Sequence, residues 1–135
     1  MIKKITRSFF AIIVILTLIS CKNTKQKLQE YVTTYNSTAP SFKAENVTLT
    51  TARGYINDNK IELRFETNLE QNESNKTASI KRFSDVLKEM LNKDQIPKEL
   101  VNEGVQFDVY FLADDNTVFV KEIVNAETMP ELIKK

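Results

Sequence analysis

The sequence predicts an α+β domain, in the order α-β-β-α-β-β-α, with one antiparallel four-stranded sheet packed against a central helix. Two segments each hold a pair of alternating apolar and polar runs joined by a polar turn, which is the pattern of a β-hairpin. Between them, apolar residues recur with the helical period. Two hairpins around one long helix favour a single sheet covered on one side by a helical layer.

The first elements are a short helix and a hairpin. Apolar residues from Leu28 to Tyr35 follow the spacing i, i+3, i+4, i+7, which predicts an amphipathic helix. The hairpin pairs Val47–Ile56 with Lys60–Thr67 around Asn57-Asp58-Asn59, residue types that tolerate a positive φ.

The register of this first hairpin decides which side chains share a face. Placing Gly54 opposite Leu63 and Ala52 opposite Phe65 sets small residues against large ones, as a covering helix requires. The same register puts Arg53 opposite Arg64 on a polar outer face, an unfavourable pair.

The later elements are a long helix, a short turn, a second hairpin and a terminal helix. The long helix spans about Lys76–Asn92, with Ser74 or Asn75 as the N-cap. Pro97–Asn102 forms a short helical turn. Val105–Ala113 and Thr117–Val124 form the hairpin, and a last helix begins near Pro130. The predicted core is a set of strand and helix residues: Ile61, Leu63, Phe65, Val105, Phe107, Val109 and Phe111 against Ile80, Phe83, Leu87 and Met90.

The outer face of the second hairpin is half apolar, unlike that of the first. With Phe111 opposite Val118, this face carries Tyr110, Leu112, Phe119 and Ile123, with Asp108 and Lys121 at the rim. Such a patch has to be covered, and we expect the terminal helices of the chain to cover it. If they leave it exposed, these four residues form a partner-binding surface.

The N-terminus carries a targeting segment. Three basic residues, Lys3, Lys4 and Arg7, precede an apolar run from Phe9 to Ile19 that is too short for a comfortable membrane span. The run ends in Leu18-Ile19-Ser20-Cys21, which resembles the lipobox of a bacterial lipoprotein precursor. The resemblance implies cleavage before Cys21 and acylation of that cysteine, so that two or three acyl chains hold the protein in a lipid bilayer.

This interpretation divides the chain into three parts. Residues 1–20 are the signal peptide, 21–24 the lipidated cysteine with a short tether, and 25–135 one small α+β domain. Cleavage removes three of the 19 basic residues and no acidic one, so 16 basic residues face 18 acidic ones in the mature chain. Because nucleic-acid binding needs a basic surface and this domain is slightly acidic, we expect no nucleic-acid partner. The resemblance, together with Lys22 at the position after the cysteine and an Asn-rich composition, favours the outer over the inner membrane.

The residues available for catalysis are few. The chain has no histidine and no tryptophan, and it has only two glycines and one cysteine. This composition excludes the common catalytic triads, zinc sites that contain histidine, and glycine-rich phosphate-binding loops. We therefore predict no enzyme activity, no catalytic residue, no metal site and no cofactor. Asp114-Asp115-Asn116 fits a turn better than a calcium loop, and Glu62 with Glu66 fits a solvated strand face better than a glycosidase pair.

Three functional interpretations remain open. The first is a non-enzymatic, membrane-anchored binding or accessory module of the cell envelope that has an envelope protein as its partner. The second is an inhibitor or immunity lipoprotein directed against a toxin or a cell-wall hydrolase. The third is an enzyme that uses carboxylates, which would need a pocket lined by two convergent carboxyl groups.

Overall fold

The computed structural model describes residues 23–39 and 44–134. The predicted signal segment and Cys21 lie outside the described residues. The helices are α1 (Thr24–Thr38), α2 (Glu73–Asn92), α3 (Lys98–Asn102) and α4 (Met129–Lys134). The strands are β1 (Val47–Tyr55), β2 (Lys60–Thr67), β3 (Gln106–Leu112) and β4 (Val118–Val124), with a 3-10 turn at Ile56–Asp58. The predicted α+β class and the single four-stranded sheet are confirmed, while the element order differs in that the short turn predicted at Pro97–Asn102 is a helix, α3.

The four strands form one sheet in the order β1-β2-β3-β4. Each hairpin is antiparallel, but β2 and β3 pair in parallel, so the prediction of an antiparallel sheet is wrong at its centre. The reason is the connection from β2 to β3, which runs through α2 and α3. Such a crossover returns the chain to the end of the sheet at which β2 began, and strands joined in this way run parallel.

In the first hairpin the faces are as predicted, but the register differs by two residues. Gly54 lies opposite Ile61, because the 3-10 turn and Asn59 (φ 49°) together form a four-residue loop that pairs Tyr55 with Lys60. A shift of two residues keeps every side chain on its face, since the side-chain period of a strand is two. It also replaces the unfavourable pair of arginines by Arg53 opposite Glu62.

The second hairpin contains an irregularity that the sequence pattern does not reveal. Phe111 lies opposite Val120 rather than Val118, while Leu112 lies opposite Val118. One extra residue, Phe119, is therefore inserted in β4 at this point, as in a β-bulge. The bulge changes the side of the sheet on which Phe119 packs.

The core lies between one face of the sheet and the helices. The Phe83 and Phe111 rings lie 5.6 Å apart, and Tyr31 meets Phe107 edge-on at 5.4 Å. The predicted core residues are buried except Ile80, which is 49% exposed. The prediction is wrong there because the helix buries Ser79 instead, one turn before Phe83.

Helix α1 lies across β1. A Cβ atom placed on Gly54 would approach Leu28 Cδ2 to 3.0 Å and Val32 Cγ2 to 3.3 Å, so the glycine permits a close approach of helix and strand. The N-cap of α2 is Asn72, whose side chain accepts a 2.8 Å hydrogen bond from the Asn75 N–H, rather than Ser74 or Asn75. None of the helices within residues 23–39 and 44–134 is both long and apolar enough to cross a membrane.

Candidate functional site: the open face of the sheet and a groove along α1

The four helices of the described residues all lie on the same side of the sheet. Tyr31 of α1 packs on Phe107, Phe83 of α2 packs on Phe111, and α4 packs against α2 with Met129 in the core. The expectation that the terminal helices cover the outer face is therefore wrong for the described residues. We call this outer face the open face. By strand alternation it carries residues of all four strands: Thr51, Arg53 and Tyr55 of β1, Lys60, Glu62, Arg64 and Glu66 of β2, Gln106, Asp108, Tyr110 and Leu112 of β3, and Val118, Lys121 and Ile123 of β4.

The four residues predicted to share the outer face of the second hairpin are divided by the structure. Ile123 is 38% exposed and Tyr110 is half-buried on the open face, but Leu112 and Phe119 are 2% and 3% exposed. Phe119 belongs to the core cluster, as expected for the inserted residue of the bulge. Val118, 47% exposed, takes its place on the open face.

Leu112 is buried for a different reason. It lies at the end of β3, where the Thr67 hydroxyl donates a 2.7 Å hydrogen bond to its carbonyl oxygen. The chain that follows β2 stays close to this end, because the Asp114 N–H donates to the Leu69 carbonyl at 2.8 Å. A continuous patch of these four side chains therefore does not exist, and the predicted rim residue Asp108 is itself buried.

The centre of the open face is the carboxylate of Asp108, which is 5% exposed. Gln106 Nε2 donates a 2.8 Å hydrogen bond to Oδ1, and the ammonium groups of Lys60 and Lys121 lie 3.7 and 3.9 Å from Oδ2. Burial of a carboxylate without partners is strongly unfavourable, so the two lysines and the amide are what make this position tolerable. Sequence reasoning missed this cluster because its members come from three strands.

Two tyrosine rings extend the face on either side of this cluster. Lys60 lies 4.8 Å and Arg53 5.7 Å from the centre of the Tyr55 ring, and the Tyr55 hydroxyl donates to Glu62 at 3.4 Å. Lys121 lies 5.2 Å from the centre of the Tyr110 ring. A hydrogen bond with the Tyr110 hydroxyl, helped by the charge of Asp108, raises the pKa of Lys121 above its ordinary value. The rings are thus held in place by charged neighbours before any partner arrives.

A groove on the helical side is the second candidate. A cavity of about 270 Å³ is lined by Tyr31, Thr34, Tyr35, Thr38, Ala39, Thr50, Met90, Asp94, Gln95 and Pro97. A shallower cavity of about 270 Å³ continues it past Lys27 and Glu99, with Tyr31, Thr34 and Pro97 common to both. The groove therefore runs along α1 opposite the chain segment that joins α2 to α3.

The two tyrosine hydroxyls that line this groove are already engaged in hydrogen bonds. The Tyr31 hydroxyl donates to the Gln95 carbonyl at 2.8 Å, and the Tyr35 hydroxyl shares a 2.6 Å hydrogen bond with the Thr50 hydroxyl. Burial raises the pKa of both tyrosines, although the bond with Thr50 opposes the shift at Tyr35. The groove offers mainly ring and aliphatic surface to a ligand.

The turn of the second hairpin has the role expected of it. Asp115 Oδ1 accepts hydrogen bonds from the Thr117 hydroxyl (2.6 Å) and the Thr117 N–H (3.1 Å), which lower the pKa of the carboxyl group. Asn116 has φ 67°, as such a turn requires. In the part of the chain that the structure describes, no group of three or more acidic or cysteine side chains is placed to hold a metal ion.

Comparison with known proteins gives little. No protein-family model matches the chain, and no curated protein matches it. A solved structure, that of the type II secretion system pilotin AspS from Vibrio cholerae, is similar with a TM-score of 0.40 and 12% sequence identity, over 76% of this chain and 95% of that chain. A likeness this distant carries no statement about the fold or the function of this chain.

Proposed function

We propose that the protein is a membrane-anchored lipoprotein of the cell envelope that acts as a non-enzymatic binding or accessory module. Its anchor is the acylated Cys21 of the lipobox Leu18-Ile19-Ser20-Cys21, and its protein-binding surface is the open face of the sheet. The assignment of the open face as the binding surface rests on the position of α1 and α4, which both pack on the opposite side of the sheet.

The open face suits recognition of a protein. Tyrosine and arginine are enriched at interface centres because they give large contact area with few rotatable bonds or with planar hydrogen bonding. Tyr55 and Tyr110 stand here beside Arg53 and Lys121 in defined contacts. Because these contacts exist in the free protein, less side-chain entropy is lost when a partner binds. Exposed Ile123 and Val118 add apolar area at the β4 side.

The same geometry gives little support to a carboxylate enzyme. Glu62 and Asp108 lie opposite each other on β2 and β3, so two carboxyl groups do converge. However, Asp108 is held between two lysines and an amide, and Glu62 accepts from Tyr55. Both lie on the open face, whereas the two cavities described above are on the helical side. Carboxylates that are already paired in this way favour a binding surface over an acid–base pair.

We propose the outer membrane as the location, because Lys22 follows the lipidated cysteine where an inner-membrane retention signal would have aspartate. Separation of the two membranes on a density gradient tests this directly. Recovery of the acylated protein with the inner-membrane fraction would contradict it.

Site-specific photo-crosslinking in cells tests the binding surface. A photoreactive phenylalanine analogue replaces Tyr110 on the open face or, as the control, Ile80, an exposed hydrophobic residue on the helical side. We expect a discrete adduct from position 110 and none from position 80. No adduct at 110, or the same adduct from both positions, would contradict the proposal. An adduct with a toxin or a cell-wall hydrolase would select the inhibitor interpretation over the accessory one.

A further inference from the structure

We infer that one particular end of the domain lies against the bilayer. This end is formed by α3, the Ile56–Asp58 turn and residues 93–97. We call this the α3 end; the opposite end carries the β3–β4 turn, Asp114-Asp115-Asn116. The inference rests on the proposed lipidation of Cys21 and goes beyond it, because it specifies which surfaces meet the membrane and which a partner can reach.

The start of α1 is fixed by the structure. The Asn23 side chain accepts a 2.9 Å hydrogen bond from the Gln26 N–H, and the Gln26 side chain accepts one of 3.3 Å from the Asn23 N–H, which completes a capping box. In the sequence only Lys22 separates Asn23 from Cys21. Two residues span at most about 7 Å, so Asn23 is held close to the acyl chains.

The first turns of α1 are fastened to the α3 end. Lys27 Nζ lies 2.9 Å from a carboxylate oxygen of Glu99 and 2.9 Å from one of Glu103, at the two ends of α3. These hydrogen bonds with Glu103 and Glu99 raise the pKa of Lys27 above its ordinary value. Leu28 packs against Gly54, the residue before the last of β1.

The later turns of α1 run away from this end. Tyr35 bonds to Thr50 and Asn36 bonds to Ala52, both nearer the start of β1. The anchor therefore emerges beside α3 and not beside the β3–β4 turn. Since β3 has seven residues, the β3–β4 turn is about 20 Å farther from the anchor along the strand direction.

Charges of both signs stand at the α3 end and nearly balance: Asp58, Asp94, Glu99 and Glu103 with Lys25, Lys27, Lys60, Lys93 and Lys98. The short tether, rather than attraction to anionic lipids, therefore sets the orientation. The groove along α1 opens next to this end, at Lys27 and Glu99. A partner that uses the groove or the open face therefore approaches the domain from the side.

Energy transfer to a membrane measures this orientation. The acylated protein carries no free thiol, because Cys21 is the single cysteine; a new cysteine is therefore labelled alone. Asn102→Cys places a donor dye at the α3 end, and Asp114→Cys, also at an exposed residue, places it at the far end. Each purified, lipidated protein is reconstituted into phosphatidylcholine vesicles that contain a lipid with an acceptor dye on its headgroup.

We expect stronger quenching of the donor at position 102 than at 114, and the same difference after part of the phosphatidylcholine is replaced by phosphatidylglycerol. Unchanged far-ultraviolet circular dichroism and melting temperature confirm that both variants are folded. Equal or reversed quenching with the protein still on the vesicles overturns the orientation alone. Failure of the protein to acquire acyl chains or to join the vesicles overturns the proposed anchor, and the orientation with it.

Discussion

The side-chain amide of Asn36 pairs with both backbone groups of Ala52: Nδ2 donates to the carbonyl oxygen at 3.0 Å, and Oδ1 accepts from the N–H at 2.8 Å. Since β1 is an outer strand of the sheet, these groups point away from β2. Asn36 thus acts as a short piece of an additional strand and closes the β1 edge at its middle. An unpaired edge would offer its backbone groups to another chain.

Replacing Asn36 should therefore weaken the fold and open this edge. We expect Asn36→Ala to lower the free energy of unfolding by about 1–2 kcal/mol, because two hydrogen bonds are lost. The Ala52 amide should exchange its hydrogen faster, as measured by native-state NMR exchange, and the protein should self-associate more at high concentration. Ser37→Ala, a change at the next residue, whose hydroxyl donates only within α1, should leave the Ala52 amide protected.

Ser79 is a buried polar residue with an unusual environment. It is 1% exposed, and in the described part of the chain its hydroxyl oxygen has no hydrogen-bond partner. Because an unsatisfied hydroxyl is unfavourable in a core, Ser79→Ala should raise the free energy of unfolding by about 1–2 kcal/mol. Ser84→Ala on the exposed side of the same helix controls for helix propensity. Urea titration measures the change in the free energy of unfolding for both variants. Equal changes would show that burial of the Ser79 hydroxyl does not destabilise the fold.

The contact of Phe83 with Phe111 joins α2 to the middle of the sheet. Phe83→Ala removes a ring that is 1% exposed and should lower the free energy of unfolding by about 3–5 kcal/mol. Ile80→Ala, three residues earlier and 49% exposed, should change it by less than about 1 kcal/mol. Chemical denaturation distinguishes the two, and a large effect of Ile80→Ala would show that this helix buries a different stripe.

Alkaline pH should destabilise the domain through the buried phenols. Burial raises the pKa of Tyr31 above its ordinary value of 10.0, so the folded state holds this proton more tightly than the unfolded chain. The protonated phenol stabilises the fold fully at a pH below the tyrosine pKa of the unfolded chain. This stabilisation is lost as the pH rises above that pKa. The free energy of unfolding should fall by about 1.4 kcal/mol per pH unit for each such tyrosine. Urea titrations in this range should give a smaller slope for Tyr31→Phe; an unchanged slope would contradict the assignment.

Local patterns were sufficient to predict the elements of this fold and their buried faces. Period-two alternation placed Ile61, Leu63 and Phe65 correctly, and the position of every strand was right to within a residue or two. The parallel pairing of β2 with β3 was not predictable in this way, because it depends on how the crossover through α2 and α3 packs. The change of register in the first hairpin depends on the loop conformation at Asn59, and that in the second on the turn at Asn116 together with the bulge at Phe119.

The candidate site was predicted less well than the fold. Tyr110 and Ile123 are on the outer face as expected, but the bulge moved Phe119 to the core. A bulge leaves no clear signature in a short apolar run. The cluster at Asp108 could not be predicted either, since it brings together Lys60 and Lys121 from strands that flank β3. No local period relates these residues.

The central claim is that Cys21 is acylated and anchors this domain. Cells that produce a tagged form are grown with an alkyne analogue of palmitate, the protein is isolated, and the label is detected on it together with the mass of its N-terminal peptide. We expect a labelled protein whose first residue is an acylated Cys21, and an unlabelled, uncleaved protein for Cys21→Ala. Label on Cys21→Ala, or an unmodified Cys21 in the wild-type chain, would contradict it.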